Sequence, residues 1–313
     1  MQGLIVSTNL STKKGEQKSP VQGIVIDKNG VVGDAHAGPG MRQVSILGQE
    51  SLDRFNSRTG KNIQAGAFGE NLTISGIDLC GIAVLDRLKI GKAVLEITQI
   101  GKKCHGNVCA IYREVGQCAM PKEGVFARVI SGGKIQTNDK IRHLLCDLQI
   151  LIITLSDRAA AGVYEDRSGP LAYELIEKFF SEKRWHIKIS RIIIPDDAKK
   201  LEKILTQGIT KNIDIMFTLG GTGIGPRDIT PEVVTKVSKK IIPGIMENIR
   251  LKYGTQKPAA LLSRSVAGTN KTTQLYALPG SVKAIAEYLP EIFQNLEHII
   301  YMMHAIDAHE KMQ

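Results

Sequence analysis

Aromatic side chains are scarce in this chain: one tryptophan, seven tyrosines and seven phenylalanines among 313 residues, or 5%. The aromatic–glycine pattern of an RNA-binding sheet does not occur, so nucleic acid is set aside as a primary partner. Long hydrophobic runs are also lacking. None reaches the roughly 18 residues needed to cross a bilayer, which predicts no membrane partner. The opening Met1-Gln2-Gly3-Leu4-Ile5-Val6-Ser7 has neither the basic start nor the long apolar stretch of a secretion signal, and the expectation is a soluble, cytoplasmic protein. There are only five cysteines, Cys80, Cys104, Cys109, Cys118 and Cys146, an odd count that argues against a disulfide framework. Low-complexity tracts and internal repeats are absent.

The chain does have an ordinary globular composition, 42% hydrophobic and 23% charged, and a length that exceeds one ordinary core and suits two domains. It also has surplus positive charge, +10 overall, with 19 basic and 12 acidic residues in 1–145 against 22 and 19 in the remainder. A basic surface suits anionic ligands such as phosphates, and it equally serves solubility alone.

The texture changes near residue 147, which divides the chain into 1–146 and 147–313. The first part has short apolar runs separated by turn signals: Val21–Ile26, Gln43–Leu47, Asn71–Ile74, Ala93–Ile100 and Val125–Ile130. This spacing predicts a mostly β domain, closed or sandwiched, with one good helix candidate at Gly48–Arg58. In the second part strands and helices alternate. Leu148–Leu155 is too apolar for a wet face and reads as a buried parallel strand. Helices are expected at Pro170–Lys183, Ala198–Thr210, Pro231–Lys240, Pro243–Tyr253, Ser281–Leu289 and Pro290–His309. Strands are expected at Ile187–Ile194, Ile213–Leu219 and Gln274–Leu278. This order predicts an α/β domain with a parallel sheet covered on both faces, and such sheets bind ligands beyond the C-terminal ends of their strands.

Those strand ends carry the chemistry. Ile213–Leu219 runs into Gly220-Gly221-Thr222-Gly223-Ile224-Gly225-Pro226-Arg227-Asp228, then Ile229-Thr230-Pro231-Glu232. Four glycines in six residues leave backbone N–H groups bare toward a ligand, and such groups bind phosphate oxygens. Thr230 reads as the N-cap of the next helix and Pro231 as its first residue. Arg227 can bind a phosphate and Asp228 can hold magnesium. The loop follows neither the Walker pattern nor the dinucleotide fingerprint. The first strand ends in Ser156-Asp157-Arg158, the second in Pro195-Asp196-Asp197 and the last in Pro279-Gly280-Ser281. Three carboxylates, Asp157, Asp196 and Asp228, are thus expected on one rim; the competing reading is helix or turn capping.

Residues 148–313 resemble the MogA/MoaB family of molybdenum-cofactor biosynthesis proteins. The matching segments are Ser156-Asp157-Arg158-Ala159 with Gly162-Val163-Tyr164, Ile194-Pro195-Asp196, Gly220-Gly221-Thr222-Gly223 with Arg227-Asp228, Pro243-Gly244, Leu262-Ser263-Arg264, and Leu278-Pro279-Gly280-Ser281. The opening segment is similar to the MogA branch. The resemblance implies a molybdopterin adenylyltransferase that converts molybdopterin and MgATP to adenylylated molybdopterin and pyrophosphate, working as a homotrimer. It implies Asp196 and Asp228 as the catalytic, magnesium-holding pair and Gly221, Thr222 and Gly223, with Gly220, as the ATP-phosphate loop. It places Pro279, Gly280 and Ser281 at a second binding turn, and Ser156, Asp157, Arg158, Arg227 and Arg264 among the ligand-binding residues. The segment between the Leu-Pro-Gly turn and the last helix is shorter than in many bacterial members.

Cys104-His105-Gly106-Asn107-Val108-Cys109, then Cys118, follow Lys102-Lys103. A thiol beside two lysines and a histidine should be nucleophilic; Cys104, Cys109 and Cys118 with His105 offer alternatively a zinc or iron–sulfur site, or inert buried thiols. Residues 1–145 resemble the MOSC domain, through Gly33-Asp34-Ala35-His36-Ala37-Gly38, Arg42-Gln43-Val44-Ser45, Phe68-Gly69-Glu70-Asn71-Leu72, the Cys104 region, Phe126-Ala127-Arg128-Val129 with Gly132-Gly133, and Asn138-Asp139. The resemblance implies a barrel-like β fold that binds the cofactor or carries sulfur, with Cys104 nearest the family's cysteine and Cys118 in reserve. His36 and Arg42 are candidates for an anionic ligand, or Asp34 and His36 stabilise a turn. The functions to be weighed are adenylyl transfer with cofactor handling in front of it, a non-catalytic molybdopterin carrier or scaffold, and a nucleotide hydrolase sharing the fold; the partners expected are molybdopterin, ATP and other proteins of molybdenum-cofactor biosynthesis.

Overall fold

The computed structural model describes residues 1–103, 112–113 and 118–307. By internal contacts the chain divides between Cys146 and Asp147 into two compact units.

The first unit contains β1 (Gln2–Leu10), β2 (Ser19–Val21), β3 (Gly23–Asp27), β4 (Gly30–Val31), β5 (Val44–Gly48), α1 (Gln49–Thr59), β6 (Leu72–Ser75), β7 (Arg87–Ile90), β8 (Ala93–Ile100), α2 (Met120–Glu123), β9 (Val125–Ser131), β10 (Gly133–Gln136) and β11 (Lys140–Leu144). The strand order is β11-β7-β8-β9-β5-β6-β1, and β1 pairs back to β11, so seven strands close into a barrel. Every barrel strand contributes to one apolar interior, for example Ile5, Ile46, Leu72, Leu88, Leu95, Val125 and Ile141. Closure removes the exposed sheet edges that an open sheet of this size would leave. β2 extends from β1, and β10, β3 and β4 form a small separate sheet. The apolar run Val21–Ile26 is therefore two strands. β7 and β11 escape the sequence pattern because they are short and alternate with polar residues.

The second unit contains β12 (Asp147–Leu155), α3 (Asp157–Ala160), α4 (Ser168–Ser181), β13 (His186–Ile194), α5 (Ala198–Thr210), β14 (Ile215–Leu219), α6 (Thr230–Val237), β15 (Lys240–Ile241), α7 (Pro243–Gly254), β16 (Val266–Asn270), β17 (Thr273–Leu278) and α8 (Val282–Met303). The sheet order is β13-β12-β14-β17-β16-β15, with the first four strands parallel. β16 and β15 add antiparallel, so the expected all-parallel sheet is mixed at one edge. α5 and α6 pack on one face through Leu201, Leu205, Val233 and Val234. α4 and α8 pack on each other and onto β12 and β17.

Two further expectations change. The helix expected to reach Lys240 ends at Val237, because 240–241 pair with β16. The two helices expected on either side of Pro290 are one, α8, with Pro290 inside it. The buried stripe Ile285, Tyr288, Leu289, Ile292, Leu296 and Ile300 runs unbroken past the proline, so tertiary packing outweighs the lost hydrogen bond. The Tyr253 hydroxyl donates to the Glu287 carbonyl (3.1 Å) in the disturbed turn.

Candidate functional site

The parallel register sets the site. Leu155 pairs with Ile194, and Leu219 with Leu278, so the segments after these four strands emerge at one level. There they enclose an open cleft of about 390 Å3, lined by Ser156, Asp157, Arg158, Asp196, Gly221, Arg227 and Asp228 among others. The three carboxylates expected on one rim are together.

Four successive carbonyls of the glycine loop are held by hydrogen bonds. The Thr230 hydroxyl donates to Gly220 O (2.8 Å), Thr230 N–H to Gly221 O (3.0 Å), Arg264 N–H to Thr222 O (2.9 Å) and Arg264 Nε to Gly223 O (2.7 Å). In a trans peptide C=O and N–H point in opposite directions. Holding these four carbonyls therefore turns the N–H groups of Gly221, Thr222, Gly223 and Ile224 away from the partners of those carbonyls. None of the four has a protein acceptor among the described residues. A run of unpaired N–H groups is what an anion-binding nest is built from, and Gly221 brings the start of this run to the cleft lining. Two glycines are required for it. Gly220 has φ 116°, and a Cβ there would meet Leu155 O at 2.5 Å; Gly221 has φ 64°, and a Cβ there would meet the Thr230 hydroxyl at 2.6 Å. Thr230, expected as the N-cap, is the first residue of α6, and Ile229 precedes it as the cap. Its side chain bonds the loop rather than the helix end.

The carboxylates are arranged unequally. Asp157 N–H donates to Asp196 Oδ2 (3.3 Å) and Asp196 N–H to Asp157 Oδ1 (2.9 Å), a reciprocal clasp between the ends of β12 and β13. The other Asp157 oxygen accepts from Arg227 Nη1 (2.6 Å). Asp228 Oδ2 accepts from Gly225 N–H (2.8 Å). Burial pushes the Asp196 carboxyl above the usual range, the Asp157 and Asp228 charges add to this, and the Asp157 N–H and Arg227 oppose it. Asp196 and Asp228 each engage one oxygen in a backbone bond. A hard cation beside them would relieve their mutual repulsion, and their oxygen donors suit magnesium.

The remaining predicted residues divide between ligand cleft and scaffold. Ser156 caps α3 by accepting from Ala159 N–H (3.2 Å). Arg158 lies over the Tyr164 ring, 5.5 Å from its centroid. Gly280 packs against Gly220: a Cβ there would lie 3.1 Å from the Gly220 Cα, and Gly220 N–H donates to Leu278 O (2.9 Å). Pro279 precedes that contact, and Ser281 caps α8 through Ala284 N–H (3.2 Å). Asp197 caps α5, accepting from Lys199 and Lys200 N–H groups. Arg264 faces the loop's carbonyls and Glu232. Sequence reasoning passed over Asp166, whose carboxylate gathers Thr154, Ser168 and Gly169 and so ends the Ser156–Arg167 loop. Its signal was the Asp-x-Ser-Gly spacing at a helix start.

In the first unit Cys104 and Cys109 lie outside the described residues. Cys118 is half-buried and packs on the cluster of Leu47, Phe55, Phe68 and Met120. Asp34 is buried against Lys18 and also accepts from Asn71 Nδ2 (3.0 Å) and His36 N–H (2.9 Å). Burial alone would raise its carboxyl, but bonds from His36 and Lys18 outweigh that and hold it well below the usual range. The His36 ring sits 3.4 Å from Asp34 and is half exposed. Asp34 thus stabilises the turn, as one reading of this segment expected. The Arg42 guanidinium lies 5.9 Å from the centroid of Phe126.

Residues 33–142 match the family model "MOSC domain", and 151–298 match "Probable molybdopterin binding domain". The "Molybdopterin adenylyltransferase" of Helicobacter pylori is 34% identical over 155 residues, 49% of this chain and 86% of that protein. "Molybdenum cofactor biosynthesis protein B" of Staphylococcus carnosus is 36% identical over 162 residues, 50% of this chain and 90% of that protein. Among solved structures, the tungsten cofactor synthesizing protein MoaB from Pyrococcus furiosus is 32% identical, covering 51% of this chain and 98% of its own, with a TM-score of 0.44. The chain therefore belongs to the MogA/MoaB family, with a MOSC domain ahead of the domain that defines that family.

Proposed function

We infer that the second unit transfers the adenylyl group of ATP to the phosphate of molybdopterin, releasing pyrophosphate. The observation that carries this reading is the glycine loop, whose Gly221–Ile224 N–H groups have no protein acceptor among the described residues and whose Gly221 lines a cleft together with Asp196, Asp228 and Arg227. The relatives named molybdopterin adenylyltransferase support it.

The reaction brings two anions together. A phosphate oxygen of molybdopterin attacks the α-phosphorus of ATP, and the bond to the α–β bridging oxygen breaks. Positioning and charge neutralisation suffice for such a step, and no strong base is needed. The loop N–H groups hold phosphate oxygens without moving during reaction. Asp196 and Asp228 would hold a magnesium ion, which when bound neutralises charge building on the transferred group and on pyrophosphate. Arg227, half-engaged by Asp157, supplies a cation at the cleft's edge. The Asp157–Asp196 clasp keeps the two strand ends in register. In the same reading the N-terminal unit binds the cofactor or handles its sulfur, and the protein works as a cytoplasmic trimer.

The test is turnover. Purified full-length protein with molybdopterin, ATP and magnesium should release pyrophosphate in proportion to adenylylated product. Tight molybdopterin binding without pyrophosphate would make the protein a carrier. Pyrophosphate or phosphate release that is independent of molybdopterin would make it a nucleotide hydrolase.

A further inference from the structure

Arg264 has the chemistry of a phosphate ligand, yet its guanidinium is turned onto the glycine loop itself. Nε donates to Gly223 O (2.7 Å), Nη2 donates to Asp228 O (2.7 Å), and Nη1 pairs with the Glu232 carboxylate. Its own backbone N–H donates to Thr222 O (2.9 Å). One planar fork thus ties both ends of the Gly223–Asp228 segment. Inside that segment Gly225 N–H donates to Asp228 Oδ2 and Asp228 N–H to Gly225 O (3.0 Å). The carbonyls of Thr222 and Gly223 belong to the same peptide groups as the N–H groups of Gly223 and Ile224. Whatever fixes the former fixes the direction of the latter.

The geometry points to Arg264 as a positioning residue of the phosphate loop, one whose guanidinium aims the Ile224 N–H and fixes the main chain that carries the Asp228 carboxylate, through the Gly223 and Asp228 carbonyls, without itself contacting the phosphate. This rests on reading the loop as the ATP-phosphate site. Thr230 fixes the other half of the nest, at Gly220 and Gly221. A glycine-rich segment has many accessible backbone conformations. Without the fork the peptide units from Gly223 to Asp228 would sample several of them, while the backbone bond to Thr222 O remains, and ATP would have to order the loop as it binds.

The two possible roles of an arginine separate under substitution by lysine. A phosphate contact needs mainly charge, which lysine keeps. Bridging two carbonyls and a carboxylate needs the rigid fork, which a compact ammonium cannot supply. Arg264→Lys and Arg264→Ala are made in the full chain, with thermal melting to check that they fold. ATP affinity is read by calorimetry. Glycine-labelled TROSY spectra of the ligand-free protein report Gly220, Gly221, Gly223 and Gly225 directly.

The expected result is a loss of ATP affinity of at least about tenfold in both variants, with broadened or shifted Gly223 and Gly225 signals before any ligand is added. Millimolar guanidinium should restore part of the affinity of Arg264→Ala, and ammonium should not. Affinity of Arg264→Lys within about twofold of wild type would overturn the proposal. So would a loss of affinity with the glycine signals unchanged, because the arginine would then act on the phosphate directly. Wild-type protein that does not bind ATP would remove the phosphate-loop reading and this proposal with it; ordered glycine signals lost in the variants would then show that the clamp exists but serves another end.

Discussion

Asp214 should cost the second unit stability at neutral pH, and removing its charge should recover it. The residue precedes β14, at the edge of the sheet opposite the cleft, with its side chain 16% exposed. Gln149 N–H donates to its Oδ2 (2.8 Å), and its own backbone exchanges bonds with Gln149 and Gln274. Burial pushes its carboxyl from the usual 3.8 up to about 6, against the pull of the Gln149 N–H. The folded state thus holds the proton more tightly than the unfolded chain. Stability is full below about pH 4, falls as pH rises through about 4 to 6, and stays at the lower level above that. A shift of about two units corresponds to at most ~3 kcal/mol; partial exposure to water reduces this to ~1–2 kcal/mol. Asp214→Asn keeps an oxygen for the Gln149 N–H and has no charge to bury. Urea unfolding of both proteins from pH 4 to pH 8 should give a stability difference that grows by ~1–2 kcal/mol in favour of the variant, nearly all of it before pH 7. His304 lies 4.0 Å from the carboxylate, so the comparison is repeated with His304→Gln in both proteins. A difference that is flat with pH, or that grows in favour of Asp214, would refute the reasoning.

Other outcomes test the site and the scaffold. Asp228→Asn should fold, because an amide oxygen can still accept from Gly225 N–H, but kcat for pyrophosphate release should fall on the order of 100-fold, since one lost electrostatic contact is worth roughly 3 kcal/mol; near-normal turnover would reduce Asp228 to a loop cap. Lys18→Met leaves the Asp34 charge buried without its cation, so the N-terminal unit should lose about 3–5 kcal/mol in thermal or urea unfolding, with much of it recovered in Lys18→Met with Asp34→Leu. The fragment from 147 to 313 should release pyrophosphate by itself, because the nest and its carboxylates all lie within it; a folded but inactive fragment beside an active full chain would assign part of the site to the first unit.

The chemistry of the cleft was legible because it is written locally. A run of glycines after a buried strand has few structural readings, and the apolar strands Leu148–Leu155 and Ile213–Leu219 place their following residues at the ligand-binding edge of a parallel sheet. The helix Ala198–Thr210 and the strand Ala93–Ile100 are likewise local patterns, amphipathic in one case and rich in branched apolar residues in the other, and the structure has them at those residues.

Contacts between distant residues were not legible. Asp157 and Asp196 are 39 residues apart in sequence, and their clasp exists only because β12 and β13 lie in register. Pro290 signals a break, yet α8 continues because its buried face does. Barrel closure depends on β1 meeting β11, two strands from opposite ends of the first unit. Arg264 shows the division most clearly: the family resemblance set it among the ligand-binding residues, and only the fold turned its guanidinium onto the loop's carbonyls. The sequence by itself determined which groups this protein offers to an anion or a cation, because backbone freedom and side-chain charge are local properties. Tertiary structure decided which of those groups face the ligand and which hold the others in place, because a hydrogen bond depends on where its partner lies in space.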